Sequence, residues 1–148
     1  MSIRRATKED AEKLSDLVKS LAHFYLDHST DELPQWLTDT LTSDAFVKRL
    51  ASKEYINFIY EQDSDIAGYI SLKKPNHIYH LFVSEQYQGN GISRLLWNHA
   101  KSSVAATSFT LRSSVYAIPI YKRFGFVESD AIGTKDGISF QPMKLVQH

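Results

Sequence analysis

The segment Gln86-Tyr87-Gln88-Gly89-Asn90-Gly91 constrains this chain more than any other, because of what flanks it. Before it runs His77 to Val83, apolar on both faces in the manner of a central strand. After it, Ile92, Leu95, Leu96 and Val104 recur at helical spacing, which predicts a buried stripe on a long helix from about Gly91 to Ala105. A strand that turns straight into a helix presents unpaired N–H groups and partial positive charge at the turn. Glycines at 89 and 91 admit unusual dihedrals and let an anion approach the backbone. Asn90 and Ser93 add side-chain donors, and Arg94 adds charge nearby. The segment therefore suits a phosphate group, although an ordinary strand-to-helix turn can carry two glycines for no such reason. It is not a Walker loop, since no G-x-x-x-x-G-K-S/T occurs, and Arg94 stands where a dinucleotide fingerprint needs a third Gly or Ala.

The rest of the chain reads as alternating elements around that turn. Ser2 to Ala6 is a short strand. Thr7 then caps a helix, with Asp10 three residues on, that carries Leu14, Leu17, Val18, Leu21 and Phe24/Tyr25 to about Leu26. Asp27 to Leu33 is a polar loop closed by Pro34, Trp36 to Leu41 a short helical turn, and Ser43 the cap of a helix with Phe46, Val47 and Leu50. Tyr55 to Tyr60 and Ile66 to Leu72 form a hairpin across Asp63-Ser64-Asp65. Later come a strand at Phe109 to Leu111, a helix at Ile118 to Phe124 closed by Gly125, and strands at Phe126-Val127 and Ile138 to Leu145. This order predicts an α/β (α+β) fold, a mixed, mainly antiparallel central sheet flanked by helices. Without repeats or a linker, residues 1–148 read as a single domain.

Composition narrows function by exclusion. Lys plus Arg and Asp plus Glu both number 17, so there is no global basic field for nucleic acid. The absence of cysteine excludes disulfides, thiolate metal sites and a cysteine nucleophile. No G-x-S-x-G elbow occurs either. No signal peptide opens the sequence and no run approaches a membrane span, so a cytoplasmic location with no membrane partner is expected.

Gln86, Gly89 and Gly91 match motif A of the GNAT N-acetyltransferase superfamily, R/Q-x-x-G-x-G/A, and the segment resembles it beyond those positions. Leu81-Phe82-Val83 is similar to the L-x-V strand ending of that family, and Ile92-Ser93-Arg94-Leu95-Leu96 resembles its helix start, with Ser93 in place of a common Gly. Further on, Ala117 to Phe126 is similar to its A-x-x-x-Y-x-x-x-G-F segment, with Ser114 where an Asn is frequent. Gly137 to Met143 resembles the closing strand of many small bacterial members.

The resemblance implies direct transfer of acetyl from acetyl-CoA to a primary amine, without an acyl-enzyme and without a metal. It places the pyrophosphate on Gln88, Gly89, Asn90, Gly91, Ile92 and Ser93, and the pantetheine arm along the backbone of Phe82 and Val83. Ser114 stands at a further cofactor position. Tyr121 takes the general-acid position, and a phenol with a pKa near ~10 stays protonated at neutral pH. His77 and His80 are the candidate bases, and strand alternation places them on opposite faces, with His77 beside Tyr79. An ordered water chain serves instead in many members. Lys101, Lys122 and Arg123 could reach the 3′-phosphate of CoA.

The family builds its acceptor site largely from the first two helices and their loop. That loop here holds His23, Tyr25, Asp27, His28, Asp31 and Glu32, followed by Trp36 and Asp39, a set that would suit a cationic amine or simply form a solvated surface. A small-molecule amine is the expected partner, a protein or peptide N-terminus and a sensor module without turnover being the alternatives. An exposed late strand would permit a homodimer.

Overall fold

A computed structural model describes residues 2–27 and 32–146. In chain order the elements are β1 (Ser2–Arg5), α1 (Ala11–Leu21), α2 (Gln35–Thr40), α3 (Ser43–Ala51), β2 (Tyr55–Gln62), β3 (Asp65–Lys73), β4 (His77–Val83), α4 (Ile92–Ser102), β5 (Ser108–Ser114), α5 (Ile118–Arg123), β6 (Val127–Glu128), β7 (Gly133–Lys135) and β8 (Ile138–Val146). The strands lie in the order β1-β2-β3-β4-β5-β8-β6, with β7 also on β8. Every adjacent pair is antiparallel except β4 with β5, so the sheet is mixed and mainly antiparallel as expected.

Alternation along the strands splits the core into two layers. Phe58, Ile70, Leu72, Ile78 and Leu111 face α4, whose Leu96 and Trp97 are fully buried among them. Ile59, Tyr69 and Ile138 face the other way, against Leu14 and Val18 of α1 and Phe46 of α3. Gly68 lets α4 lie close on β3, since a β-carbon there would meet Leu96 Cδ1 at 2.9 Å and the Phe82 carbonyl at 3.2 Å.

The local signals hold with small shifts. The Thr7 N–H donates to Asp10 Oδ2 at 2.8 Å, and that carboxylate is clamped by Arg4. Asp63 and Ser64 both adopt positive φ, as a tight two-residue hairpin demands. The first helix ends at Leu21 rather than Leu26 and continues as one 3-10 turn over Ala22–Tyr25. Thr42, not Ser43, caps α3, its hydroxyl accepting the Ala45 N–H at 3.1 Å. On α4, Leu95 points outward at 47% exposure while Trp97 points in, so the buried stripe is Ile92, Leu96, Trp97 and Ala100. β7 has no apolar residue, which is why periodicity missed it.

Candidate functional site

β4 and β5 are paired only at His77 with Thr110 and Ile78 with Leu111. Beyond those residues the two strands separate, and a cleft of about 570 Å³ opens between Tyr79–Val83 on one side and Arg112–Ser114 on the other. A bulge accompanies the divergence. Leu72 of β3 pairs with Ile78 and Ser71 with His80, leaving Tyr79 without a partner. An extra residue in one strand bends it, and here the bend falls where β4 leaves β5.

The bulge also corrects the simple alternation of β4. Counting residues places His77 and His80 on opposite faces. The extra residue at Tyr79 resets the count, so both lie on the α1/α3 face. His80 packs there against Phe46 and Tyr69, while His77 Nδ1 bonds Thr110 Oγ1 at 2.8 Å.

At the wide end of the cleft lies the glycine turn. Gly89 and Gly91 take φ of 84° and 76°, the left-handed region that β-carbons disfavour. The first backbone bond into α4 runs from the Leu95 N–H to the Gly91 carbonyl at 3.1 Å. Among the described residues, no acceptor takes the N–H groups of residues 89–94. A β-carbon on either glycine would have nothing within 4 Å, so the space beside these N–H groups is open. The turn is braced from behind: Gln88 Nε2 donates to the Val83 carbonyl at 3.0 Å and Asn90 Nδ2 to the Tyr87 carbonyl at 3.1 Å. Converging free N–H groups at a helix start form a site for an anion.

Tyr121 reaches the cleft from α5, its ring packed edge-on to Phe124 and Phe126. Burial pushes the phenol well above its ordinary range, so it stays protonated. Its hydroxyl makes no hydrogen bond to any described residue. His80 lines the same cleft, but burial and then the nearby Arg49 depress its pKa to about 3, and its Nδ1 is buried without a partner. His77 lies outside the cleft lining, its pKa lowered by burial, then by Arg112 and Lys73.

The residues singled out in the sequence thus mostly meet. Phe82, Val83, Gln88, Gly89, Gly91, Ile92, Ser93, Ser114 and Tyr121 all line one cleft, while the Asn90 side chain shapes the turn. Ser114 Oγ accepts the Ala117 N–H at 3.3 Å, which starts α5. Arg123 lines the cleft, whereas Lys122 pairs with Glu128 and Lys101 lies over Trp97. Of the residues expected to form an acceptor site, Tyr25 lines the cleft, whereas the described acids Asp27, Glu32 and Asp39 do not. Asp27 accepts from Ser139, Asp39 from Gln35, and Trp36 donates to Asp136. His28 and Asp31 lie outside the described residues. Sequence reasoning missed Arg112, Tyr116 and the Phe24 ring stacked on Tyr116 at 4.4 Å across the cleft mouth. Only an alternation count on β5, carried back from Ser114, would have picked out Arg112.

Comparison with known proteins agrees with this geometry. The sequence model of the Acetyltransferase (GNAT) domain matches residues 25–147. Among solved structures, PaiA N-acetyltransferase from Thermoplasma acidophilum in complex with coenzyme A superposes with a TM-score of 0.81 at 17% identity, over 98% of each chain. A GCN5-related N-acetyltransferase from Rhodopseudomonas palustris gives 0.79 at 20% identity, covering 98% of this chain and 94% of that one. Aminoglycoside 6'-N-acetyltransferase complexed with coenzyme A gives 0.74 at 14% identity, over 99% of this chain and 97% of that one. These likenesses show a shared fold, and with the family match over most of its length this chain belongs to the GNAT acetyltransferase family.

Proposed function

We propose that the chain is a cytoplasmic enzyme, one domain over residues 1–148, that moves acetyl from acetyl-CoA directly to a primary amine of a small molecule. The observation that carries this reading is the opened β4–β5 pair, which leads from a turn of free N–H groups to the Tyr121 hydroxyl. The residues present fit such a cosubstrate. Six consecutive backbone N–H groups without acceptors among the described residues suit a pyrophosphate, and the edge of β4 left unpaired by β5 beyond Ile78 suits an extended amide-bearing arm. Two structural neighbours were solved with coenzyme A, which supports the same cosubstrate class.

Acetyl-CoA supplies an activated thioester, and the chain's residues do the rest. Gln88, Gly89, Gly91, Ile92 and Ser93 bind the diphosphate, with Asn90 holding the turn in shape. The backbone of Phe82 and Val83 orients the arm, and Ser114 borders it from β5. Tyr121 holds a proton at its hydroxyl, ready for the departing sulfur, and burial keeps that proton in place. His80, with a pKa of about 3, is a weak proton acceptor, and His77 is engaged with Thr110. On this reading neither histidine is the base, and the amine gives its proton to solvent in the open cleft.

Calorimetric titration with acetyl-CoA, with free CoA and ATP as controls, tests the proposal. Micromolar acetyl-CoA binding without ATP binding is expected, followed by thiol release in the presence of a suitable amine. Failure to bind either thioester or CoA would remove the enzyme reading.

A further inference from the structure

We propose that the acceptor is a small amino carboxylate, an amine with an apolar body and a free acid group, and that Arg112 holds the carboxylate. This rests on the reading above and names its acceptor class.

Direction in the cleft comes first. The glycine turn lies past the C-terminal end of β4, while the last paired residues, Ile78 and Leu111, lie at the other end. With the diphosphate on the turn, the extended arm runs back along β4 and the acyl group points to the narrow end. Arg112 is the first β5 residue beyond the last pair, beside the bulge at Tyr79, and so stands at that end.

The charges there are one-sided. Arg112 lines the cleft, its guanidinium 5.9 Å from the Phe140 ring, and it makes no hydrogen bond or ion pair with any described residue. The other two arginines on the wall belong to the phosphate end, where Arg94 lies over Phe124 and donates to the Arg123 carbonyl at 3.0 Å. Among the described residues, no Asp or Glu lines the cleft at all. A second ammonium, as on a polyamine, would meet Arg112 and, among the described residues, no counter-charge. A carboxylate would meet a planar cation able to take it through two parallel bonds. The cleft walls also include the aromatic Phe24, Tyr25, Tyr79 and Tyr116, which suit an apolar body.

In the transfer, the amine nitrogen forms the bond to the acetyl carbon and the carbon–sulfur bond breaks. One proton leaves the amine for solvent, one passes from Tyr121 to the CoA sulfur, and solvent returns a proton to Tyr121. Arg112 takes no part in these steps. It is a positioning residue for the acceptor.

The test uses the full chain, saturating acetyl-CoA, and matched acceptors: leucine, phenylalanine and tyrosine, each with its amide and its decarboxylated amine. Spermidine is added as the opposite charge type. At least one free acid should exceed its amide and amine in kcat/KM, and Arg112→Gln should raise KM for that acid about 10- to 100-fold. The same variant should leave acetyl-CoA affinity unchanged and should not raise KM for the amides or the decarboxylated amines, and Arg112→Lys should rescue in part. Preference for amines or spermidine, or an acid preference that survives Arg112→Gln, overturns the inference while leaving the enzyme reading intact. If none of these acceptors turns over, calorimetry with free CoA present compares the N-acetylated acids with their amides. Tighter binding of an acid, lost in Arg112→Gln, supports the inference, and no difference overturns it. Failure to bind acetyl-CoA itself would instead defeat the parent reading.

Discussion

Replacing His80 by Gln isolates an electrostatic strain built into the site. Its ring lies among Phe46, Tyr69 and Phe82, with centroids 5.9, 6.0 and 5.3 Å away, and its Nδ1 is buried with no partner. Burial first, and the charge of Arg49 second, bring its pKa from 6.5 to about 3 in the folded protein. The folded value lies below the unfolded one, so as pH falls the unfolded chain takes up the proton first. The contribution of a neutral His80 is therefore complete above about pH 6.5 and is lost progressively towards pH 3. One proton corresponds to about 1.4 kcal/mol per pH unit, so near pH 4.5 the loss is on the order of 3 kcal/mol. Urea unfolding of both proteins at several pH values between about 7.5 and 4.5 measures this, because Gln carries no proton and the remaining groups cancel in the difference. Parallel stability curves for the two proteins would refute the argument. Should Gln unfold the chain, the His80 ring resonances in the wild type serve instead. They should not titrate above about pH 4.5.

Tyr121→Phe keeps the buried ring and removes only the hydroxyl, so kcat should fall about 100-fold or more while acetyl-CoA affinity changes little. Unchanged turnover would take the acid role from Tyr121. Gly91→Val forces a β-branched residue to a φ of 76°, at a cost of about 1–3 kcal/mol, and places a side chain beside the free N–H groups. Calorimetry should show acetyl-CoA binding weakened at least about 10-fold, and retained affinity would mean the diphosphate sits elsewhere. Trp97→Ala empties the contacts that Trp97 makes with Phe109 and Phe126 at 5.0 and 5.5 Å, and should cost about 3–5 kcal/mol in denaturant unfolding. A loss under about 1 kcal/mol would show that the α4 layer is not the main core.

The parts of the fold legible in the sequence are those set by local rules. Strand and helix periods, the glycines of the turn and the Thr7–Asp10 box each act over a few residues, and each was found within a few residues of its expected place. Thr7 caps a 3-10 turn over Lys8–Asp10 just ahead of α1. The faces of β4 were not legible, because the bulge at Tyr79 depends on how β3 pairs with it, a fact about a partner strand. Leu95 and Trp97 exchanged roles on α4 for a similar reason. Both lie near the boundary of the apolar stripe, and the rings of Phe109 and Phe126 pack against the indole. The acidic loop looked like a receptor for a cation, but hydrogen bonds from Ser139 and Gln35 occupy Asp27 and Asp39, and among the described residues the charged side chains that line the cleft are Arg94, Arg112 and Arg123. Composition could register those acids without showing where they pointed.

The wedge and the turn have one topological origin. Antiparallel neighbours can follow one another through short turns, as β2, β3 and β4 do, but a parallel neighbour requires the chain to cross back over the sheet. Here α4 is that crossover, so its N-terminus must start just past the C-terminal end of β4. A helix start suited to an anion and a strand edge open towards β5 are then adjacent by construction. The seam itself is two residues long, and the bulge decides where it stops. Backbone groups of β4 beyond Ile78 thereby lose the partner that every other interior strand supplies. On the proposed reading an amide-bearing arm takes that place, and the same bulge that opens the sheet to the arm fixes how far the acyl group can advance. Arg112 and Tyr79 stand at that limit, so the length of the seam sets both the reach of the cosubstrate and the residues its acyl group meets.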